Sequence, residues 1–554
     1  MKAGTDHAEL AKLLFPDITK IPEDYELRYP ERAIPAGACV TRLGPSPTGF
    51  IHLGNLYMAF ANERMAHQSG GVFFLRIEDT DRKREMEGAA ETLVDSLAYY
   101  EIHFDEGVAI GGETGNYGPY FQSRRKDIYL CIAKKLVEEG KAYPCFLSEE
   151  EISHIRLTQE ERKLTPGIYG EWAKHRDLSL GEVRDRITKN EPYVVRFRAD
   201  STSEHYISVE DGIRGLLSMP ENKSDIVLLK ADGMPTYHFA HAADDHLMRV
   251  THVVRGEEWL SSLPIHIALF SAMGWEAPVY CHTSLLMKME GETKRKLSKR
   301  KDPELSLGYY RSEGYHPLAI REYLLTIINS NFEEWRLENP LRPITDFTFT
   351  IEKMSRSGIL FDLDKLRDVS KEALSKIPAS ELSRFIIAWA KAERPEIAAV
   401  LEYDIDYLTM ILDIGRSAPK PRKDLSYGAQ IINHVGYFYD RLFEIKDPYP
   451  ESVPPEDISV LLSEYLAGYK HSDDRSVWFE RIRSIASANG YAAKPGEYKK
   501  NPGQYKGHVG DVSAVIRVAL TGRVNSPDLW EIQRTMGEKK VRERISAAVR
   551  ANSK

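Results

Sequence analysis

Ala38-Cys-Val-Thr-Arg-Leu43, then Gly44-Pro-Ser-Pro-Thr-Gly49, then residues 55–68 and finally Val72-Phe-Phe-Leu-Arg-Ile77 decide the fold class. The first run reads as a strand and the Gly/Pro run as a tight loop. In the third, Leu56, Ala59 and Phe60 fall at helical spacing. A Gly70-Gly71 turn leads into a second strand. Strand, loop, helix and strand in that order predict a βαβ unit, and such units build parallel sheets with ligands at the carboxyl ends of the strands.

Working outward, residues 1–37 carry a short amphipathic stretch, Leu10-Ala-Lys-Leu-Leu-Phe15, and then Pro-punctuated sequence, read as an N-terminal extension. Helical patterns occupy 86–100 and 124–139, followed by a polar stretch that includes Ser148-Glu-Glu-Glu-Ile152. Strand-like segments return at 193–198, 226–230 and 250–256. Residues 118–225 therefore read as an α+β insertion between two halves of one Rossmann-like parallel sheet, 38–117 and 226–289. After about residue 340 the β signal fades. Ser380 is expected to cap a helix whose apolar residues Leu382, Phe385, Ile386 and Trp389 share one face. The stretch Asp447-Pro-Tyr-Pro-Glu-Ser-Val-Pro-Pro455 separates helical segments, and 458–465 and 541–549 continue them. The expected class is α/β, followed by an all-α C-terminal region over 376–554, with 290–375 as a loop and helical connecting domain.

A chain of 554 residues with 42% hydrophobic and 29% charged residues exceeds one core and implies two to four ordered domains. No apolar run has the length of a membrane span and no signal-peptide core opens the chain, so a soluble cytoplasmic protein is expected. Four scattered cysteines, Cys39, Cys131, Cys145 and Cys281, form no CxxC pair and suggest neither a disulfide scaffold nor a zinc ribbon. A net charge of -8 excludes indiscriminate coating of nucleic acid but leaves local basic patches as partners for a polynucleotide.

Three constellations carry chemistry. In the first, from Arg42 to Asn55, a Gly/Pro turn feeds a helix N-terminus, a position suited to a triphosphate. There His52 can donate to a phosphate oxygen and Gly54 lets a nucleotide approach the backbone. In the second, Lys294-Arg-Lys-Leu-Ser-Lys-Arg-Lys301, six of eight residues are basic. Such a run is a solvated face, a nucleic-acid patch, or a mobile loop that follows phosphate charge. In the third, Arg76-Ile-Glu-Asp-Thr-Asp81, acids at a strand's carboxyl edge suit a metal, a ribose, an ammonium group or a helix cap. The histidines and acids at 241–246 match no standard zinc spacing.

Together these residues resemble a glutamyl-tRNA synthetase of the bacterial type, a class I aminoacyl-tRNA synthetase. His52-Leu-Gly-Asn55 is similar to that family's HIGH signature and Lys296-Leu-Ser-Lys-Arg300 to its KMSKS signature. Arg42 with Pro45-Ser-Pro-Thr-Gly49, residues 71–81, Gly118-Pro-Tyr120 with Gln122-Ser123, Asp244-Asp-His246 and residues 253–259 resemble the glutamate-specific branch in the same order. The likeness covers 38–340 strongly and the remainder through Arg517-Val-Ala-Leu-Thr-Gly522.

The resemblance implies a two-step reaction: ATP activates L-glutamate to glutamyl-adenylate with release of pyrophosphate, and the terminal adenosine of tRNA(Glu) then takes the glutamyl group. It assigns His52, Gly54 and Lys299 to ATP, and His52, Lys296 and Lys299 to catalysis, with Arg300 supporting the same loop. Arg42, Ser46, Glu78, Tyr237 and Arg255 form the amino-acid pocket. Arg42 would pair with the side-chain carboxylate of glutamate and Glu78 with the substrate ammonium. The remaining expectations are Mg²⁺ carried on the triphosphate, no membrane partner and a monomer.

Two departures stand out. His241 occupies a position where relatives often carry Asn or another small polar residue near the amino-acid pocket; it either alters substrate contacts or packs, and packing is its default role. Ala142-Tyr-Pro-Cys-Phe-Leu147 keeps only one of the cysteines that begin a zinc site in some relatives, so no zinc is expected. A glutaminyl-tRNA synthetase usually carries Glu and Asn where Ser46 and Thr48 stand, and builds its anticodon portion from β-barrels. A shortened relative that glutamylates a tRNA base lacks the C-terminal region altogether, and a non-catalytic paralogue would have lost a signature residue. Basic stretches at 416–423, at 494–506 with Tyr498 and Tyr505 interleaved, and at 534–544 are candidates for tRNA contact.

Overall fold

The computed structural model describes residues 6–47, 51–81, 86, 88–200 and 205–553. It divides into two compact units, one comprising Met1–Leu307 and Leu324–Phe361, the other Gly308–Tyr323 and Asp362–Lys554.

In the first unit, strands β1 (Val40–Leu43), β2 (Val72–Leu75) and β3 (Glu106–Ala109) run parallel in that order, and β4 (Gly112–Thr114) returns antiparallel on β3. Strands β5 (Ala142–Cys145), β6 (Val194–Phe197), β7 (Tyr206–Asp211), β8 (Gly215–Pro220) and β9 (Val227–Leu229) follow. Next come β10 (His252–Gly256), β11 (Val279–Thr283), β12 (Leu286–Glu290), β13 (Thr293–Lys296) and β14 (Ile359–Leu360). A second sheet has the order β10-β11-β7-β8, with β10, β11 and β7 parallel. The two sheets abut at β1 and β10: Thr251 N donates to Val40 O at 3.0 Å, and Val40 N to Thr251 Oγ1 at 2.8 Å. This seam, where strand order reverses, is where a doubly wound sheet opens a ligand crevice.

Helices of this unit include α1 (His7–Leu14), α2 (Pro22–Arg28), α3 (Leu53–Gln68), α4 (Ala89–Tyr99) and α5 (Lys126–Glu138). They continue with α6 (Glu149–Glu161), α7 (Leu180–Thr188), α8 (Tyr237–Leu247) and α9 (Leu263–Met273). The βαβ unit expected at 38–77 is β1-α3-β2, and α3 is buried nearly all round, its Asn62, Glu63 and Arg64 included. Ser148, read only as part of a polar stretch, caps α6 in a capping box with Glu151. Strand pairing crosses the boundary drawn at 225/226. The β7–β8 hairpin joins β11, whereas β9 pairs with β6 in the separate sheet β5-β6-β9.

The N-terminal residues form a strap. Leu10, Ala11, Leu14 and Phe15 are buried, and α1 packs on α5. Tyr29 donates to Gly118 O at 2.9 Å and Tyr117 to Pro30 O at 2.8 Å. Arg32 forms a two-pronged pair with Glu106 at 2.9 and 3.1 Å, donates to Met248 O and lies 3.7 Å over the Tyr117 ring. The strap thus ties β3 to the end of α8. Arg32→Ala leaves the mostly buried Glu106 carboxylate without its cation, with the Tyr120 hydroxyl still donating to it at 2.9 Å, and is expected to cost about 3 kcal/mol, read as a lower urea midpoint by circular dichroism; an unchanged midpoint would show the strap to be passive.

The second unit is helical, with a core drawn from Leu382, Ile386, Leu408, Leu461, Ile482, Val512 and Ile545 among others. The helix predicted from Ser380 is Ala379–Glu393, but its N-cap is Pro378; Ser380 lies inside the first turn, because Pro378 and Ala379 already start the helix. Leu382, Ile386 and Trp389 are buried as their spacing required. Two arginines of the proposed basic stretches, half-buried Arg416 and buried Arg544, are spent on backbone carbonyls. Arg416 caps Leu374 O and Ile377 O at 2.7 Å each, and Arg544 is buried on Tyr437 O and Leu520 O. Lys494, Lys499, Lys500 and Lys506 are exposed, with Tyr498 and Tyr505 half-buried among them.

Candidate active site

A cavity of about 520 Å³ opens at the carboxyl ends of β1, β10 and β11. Arg42, Ser46, His52, Gly54, Glu78, Tyr237, Arg255 and Lys296 all line it. Thus the two signature segments, distant in the chain, share one cavity. Lys299 and His241 do not line it: Lys299 is exposed on the turn at 299–301, and His241 is buried behind Arg42. Thr48 and Gly49 of the Gly/Pro loop lie outside the described residues.

His52 is the N-cap of α3. Its Nδ1 accepts from Asn55 N at 3.3 Å, and Asn55 Oδ1 accepts from His52 N at 3.0 Å. A neutral ring whose Nδ1 accepts carries its proton on Nε2. Burial, reinforced by Lys296, lowers its pKa and keeps the ring neutral. Gly54 is required by this cap: a Cβ there would sit 2.9 Å from the imidazole. Gly44 has a similar duty, since a Cβ would stand 2.4 Å from Glu78 Oε1.

Behind the cavity lies a buried charge network. Arg42 reaches Asp245 at 3.4 Å and His241 Nδ1 at 3.2 Å. Arg76 donates to Asp245 at 2.6 Å and to Glu78 at 3.0 Å. Asp244 turns the other way, accepting from Arg125 at 2.6 Å, Tyr129 at 2.7 Å and Gln122 at 2.9 Å. The acids near 241–246 are therefore arginine anchors. Burial pushes the Glu78 carboxyl up against the pull of Arg76 and Arg42. Burial acts the same way on Asp245, where Arg42 and Arg76 together win and hold it below the usual range. Tyr237 packs on Trp259 with ring centres 4.3 Å apart.

The lysine-rich turn is anchored from within. Arg295 makes a fork on buried Asp302 at 2.6 and 2.8 Å, and Ser298 N donates to the same carboxylate at 2.8 Å. Sequence reasoning did not identify Asp302, nor Thr283, Ser284 and Leu286, which line the cavity where β11 ends. The only signal for these was their place after a strand-like run. Among the described residues no group of three or more His, Cys, Asp and Glu side chains is arranged to hold a metal, and no helix is long and apolar enough to cross a membrane.

With this geometry established, comparison with known proteins is specific. Residues 38–368 match the class I tRNA synthetases (E and Q), catalytic domain, and residues 504–549 an anticodon binding domain. A glutamate–tRNA ligase of Acetivibrio thermocellus is 60% identical over 541 residues, covering 98% of this chain and 99% of its own. One from Clostridium perfringens is 46% identical over 544 residues, covering 97% and 100%. A crystal structure of a glutamate tRNA ligase from Elizabethkingia meningosepticum in complex with its amino acid superposes with a TM-score of 0.72 at 28% identity, covering 92% of this chain and 99% of that one. The chain belongs to the class I tRNA synthetases, in their glutamyl-tRNA synthetase family.

Proposed function

We propose that the chain is a glutamate–tRNA ligase that activates L-glutamate with ATP and transfers it to the terminal adenosine of tRNA(Glu) for protein synthesis in the cytoplasm, acting as a monomer. The observation that carries this reading is the single cavity shared by His52 and Lys296 with Arg42 and Glu78. The substrate carboxylate is itself the nucleophile toward the α-phosphate, so the protein's work is positioning and charge stabilisation.

In this reading His52 Nε2–H and the N-terminus of α3 receive the phosphates, with Gly54 keeping the imidazole in place. Lys296 and Lys299 stabilise the charge that develops on pyrophosphate. Arg42, Ser46, Tyr237 and Arg255 hold glutamate, and Glu78 its ammonium group. Glutamine would leave Arg42 without a matching charge, which is how such a site rejects a near-isostere.

Of the cavity's carboxylates Glu78, Asp81 and Glu258, the first is already tied to Arg76. So sparse a donor set suits Mg²⁺ taken up on phosphate oxygens with its waters, where it would neutralise triphosphate charge. Residues 118–225 are assigned to the tRNA acceptor end, 290–375 to the stem and 376–554 to the anticodon. Aminoacylation of purified glutamate and glutamine tRNAs with each amino acid tests the proposal: glutamylation of tRNA(Glu) is expected, and failure to charge it with glutamate would refute it.

A further inference from the structure

Arg255 is held by two histidines, and because guanidinium nitrogens only donate, each ring's tautomer follows from the contact it makes. Arg255 Nε donates to His282 Nε2 at 3.0 Å, and its Nη1 lies 3.1 Å from His266 Nδ1. Both ring nitrogens must therefore be acceptors. The opposite side of each ring agrees. His282 Nδ1 lies 2.6 Å from the carboxylate of buried Asp211, which can only accept, so Nδ1 carries the proton. His266 Nε2 lies 3.0 Å from His238 Nδ1, a donor–acceptor pair once Nε2 is protonated. Arg255 is buried, lines the cavity and lies 4.8 Å over the Tyr280 ring, while its Nη2 makes a longer contact to Trp259 O at 3.4 Å.

We infer that His266 and His282, the latter oriented by Asp211 of the β7–β8 hairpin, are positioning residues that fix the Arg255 guanidinium and so aim its remaining N–H groups on Nη1 and Nη2 at a carboxylate of the bound amino acid. The inference deepens the proposed function and rests on the reading of Arg255 as part of the amino-acid pocket. It gives the hairpin a purpose: Asp211 also accepts from Ile213 N and Arg214 N, so the turn that follows β7 holds this carboxylate in place. The arrangement requires neutral rings, since a proton on either acceptor nitrogen would face an arginine N–H. Burial, with Arg255 adding to it, lowers the pKa of both histidines and keeps them neutral.

The test is the glutamate KM in aminoacylation with saturating ATP and tRNA(Glu), measured for His266→Leu, the smaller His266→Ala, His266→Asn, His282→Gln and Arg255→Ala. Removing the acceptor in His266→Leu or His266→Ala is expected to raise the glutamate KM roughly ten- to hundredfold and leave the ATP KM unchanged. Asn sets its Oδ1 where His266 Nδ1 stood and Gln its Oε1 where His282 Nε2 stood, so both amide variants are expected to stay near the wild-type KM. Arg255→Ala is expected to be the most impaired. A glutamate KM unmoved in His266→Leu and His266→Ala, beside a damaged Arg255→Ala, would overturn the role of the histidines alone. His266→Asn and His282→Gln as impaired as His266→Leu, or ATP and glutamate KM rising together, would reduce these histidines to packing and overturn it as well. An undamaged Arg255→Ala would instead remove Arg255 from the pocket, and this inference with it.

Discussion

Lys299→Ala is expected to slow glutamyl-adenylate formation roughly 10²- to 10³-fold, measured as pyrophosphate exchange in the presence of tRNA(Glu), with the glutamate KM unchanged. Lys299 stands exposed on the turn at 299–301, while Lys296 lines the cavity. The turn between them is pinned through Arg295 and Ser298 to buried Asp302. A side chain outside the cavity wall contributes little to binding the ground state. If Lys299 meets the phosphates only as charge builds on the leaving pyrophosphate, its removal lowers kcat and kcat/KM by the same factor. Lys296→Ala, at the wall, is expected to raise the ATP KM as well. Turnover unchanged in Lys299→Ala would withdraw the catalytic assignment of this turn.

What the sequence disclosed follows from what is local. The βαβ unit was legible because strand, Gly/Pro loop and helix each carry their own signal within a few residues, and β1, α3 and β2 lie where those signals placed them. The position of Arg42 and His52 follows from the same unit. By contrast, the network behind the cavity joins Arg76 to Asp245, Arg125 to Asp244 and Asp211 to His282, pairs that no periodicity connects. The acids at 241–246 match no zinc spacing, and nothing near them in the chain points to the arginines they pair with. Ser148 failed for another reason: its capping box with Glu151 is a local signal, but the helix it starts is too polar to show an apolar stripe. Arg416 and Arg544 show the limit of charge-run reasoning, since an arginine that caps buried carbonyls and one on a solvated face look alike in sequence.

Arg42→Ala is expected to produce two losses that a second substitution separates. Arg42 is buried between Asp245 and the cavity, so under the proposed function one guanidinium serves both the folded protein and the substrate. Its removal leaves Asp245 with Arg76 as its one cationic partner, beside His241 Nδ1 at 3.1 Å, and should lower stability by about 3 kcal/mol. It also removes the cation facing the glutamate carboxylate and should lower kcat/KM for glutamate roughly 10²- to 10³-fold. The preference for glutamate over glutamine should narrow with it, because glutamine gains nothing from that charge. Adding Asp245→Asn discharges the stranded carboxylate, while Arg76 keeps Glu78 at 3.0 Å. In the double variant the urea midpoint should therefore recover part of its fall, by coupling between adjacent sites. Glutamate kcat/KM should not recover, since the lost cation is still missing from the cavity. Recovery of both together would mean that Arg42 acts on the substrate only by keeping the fold intact, and the charge that selects glutamate would then have to come from Arg255.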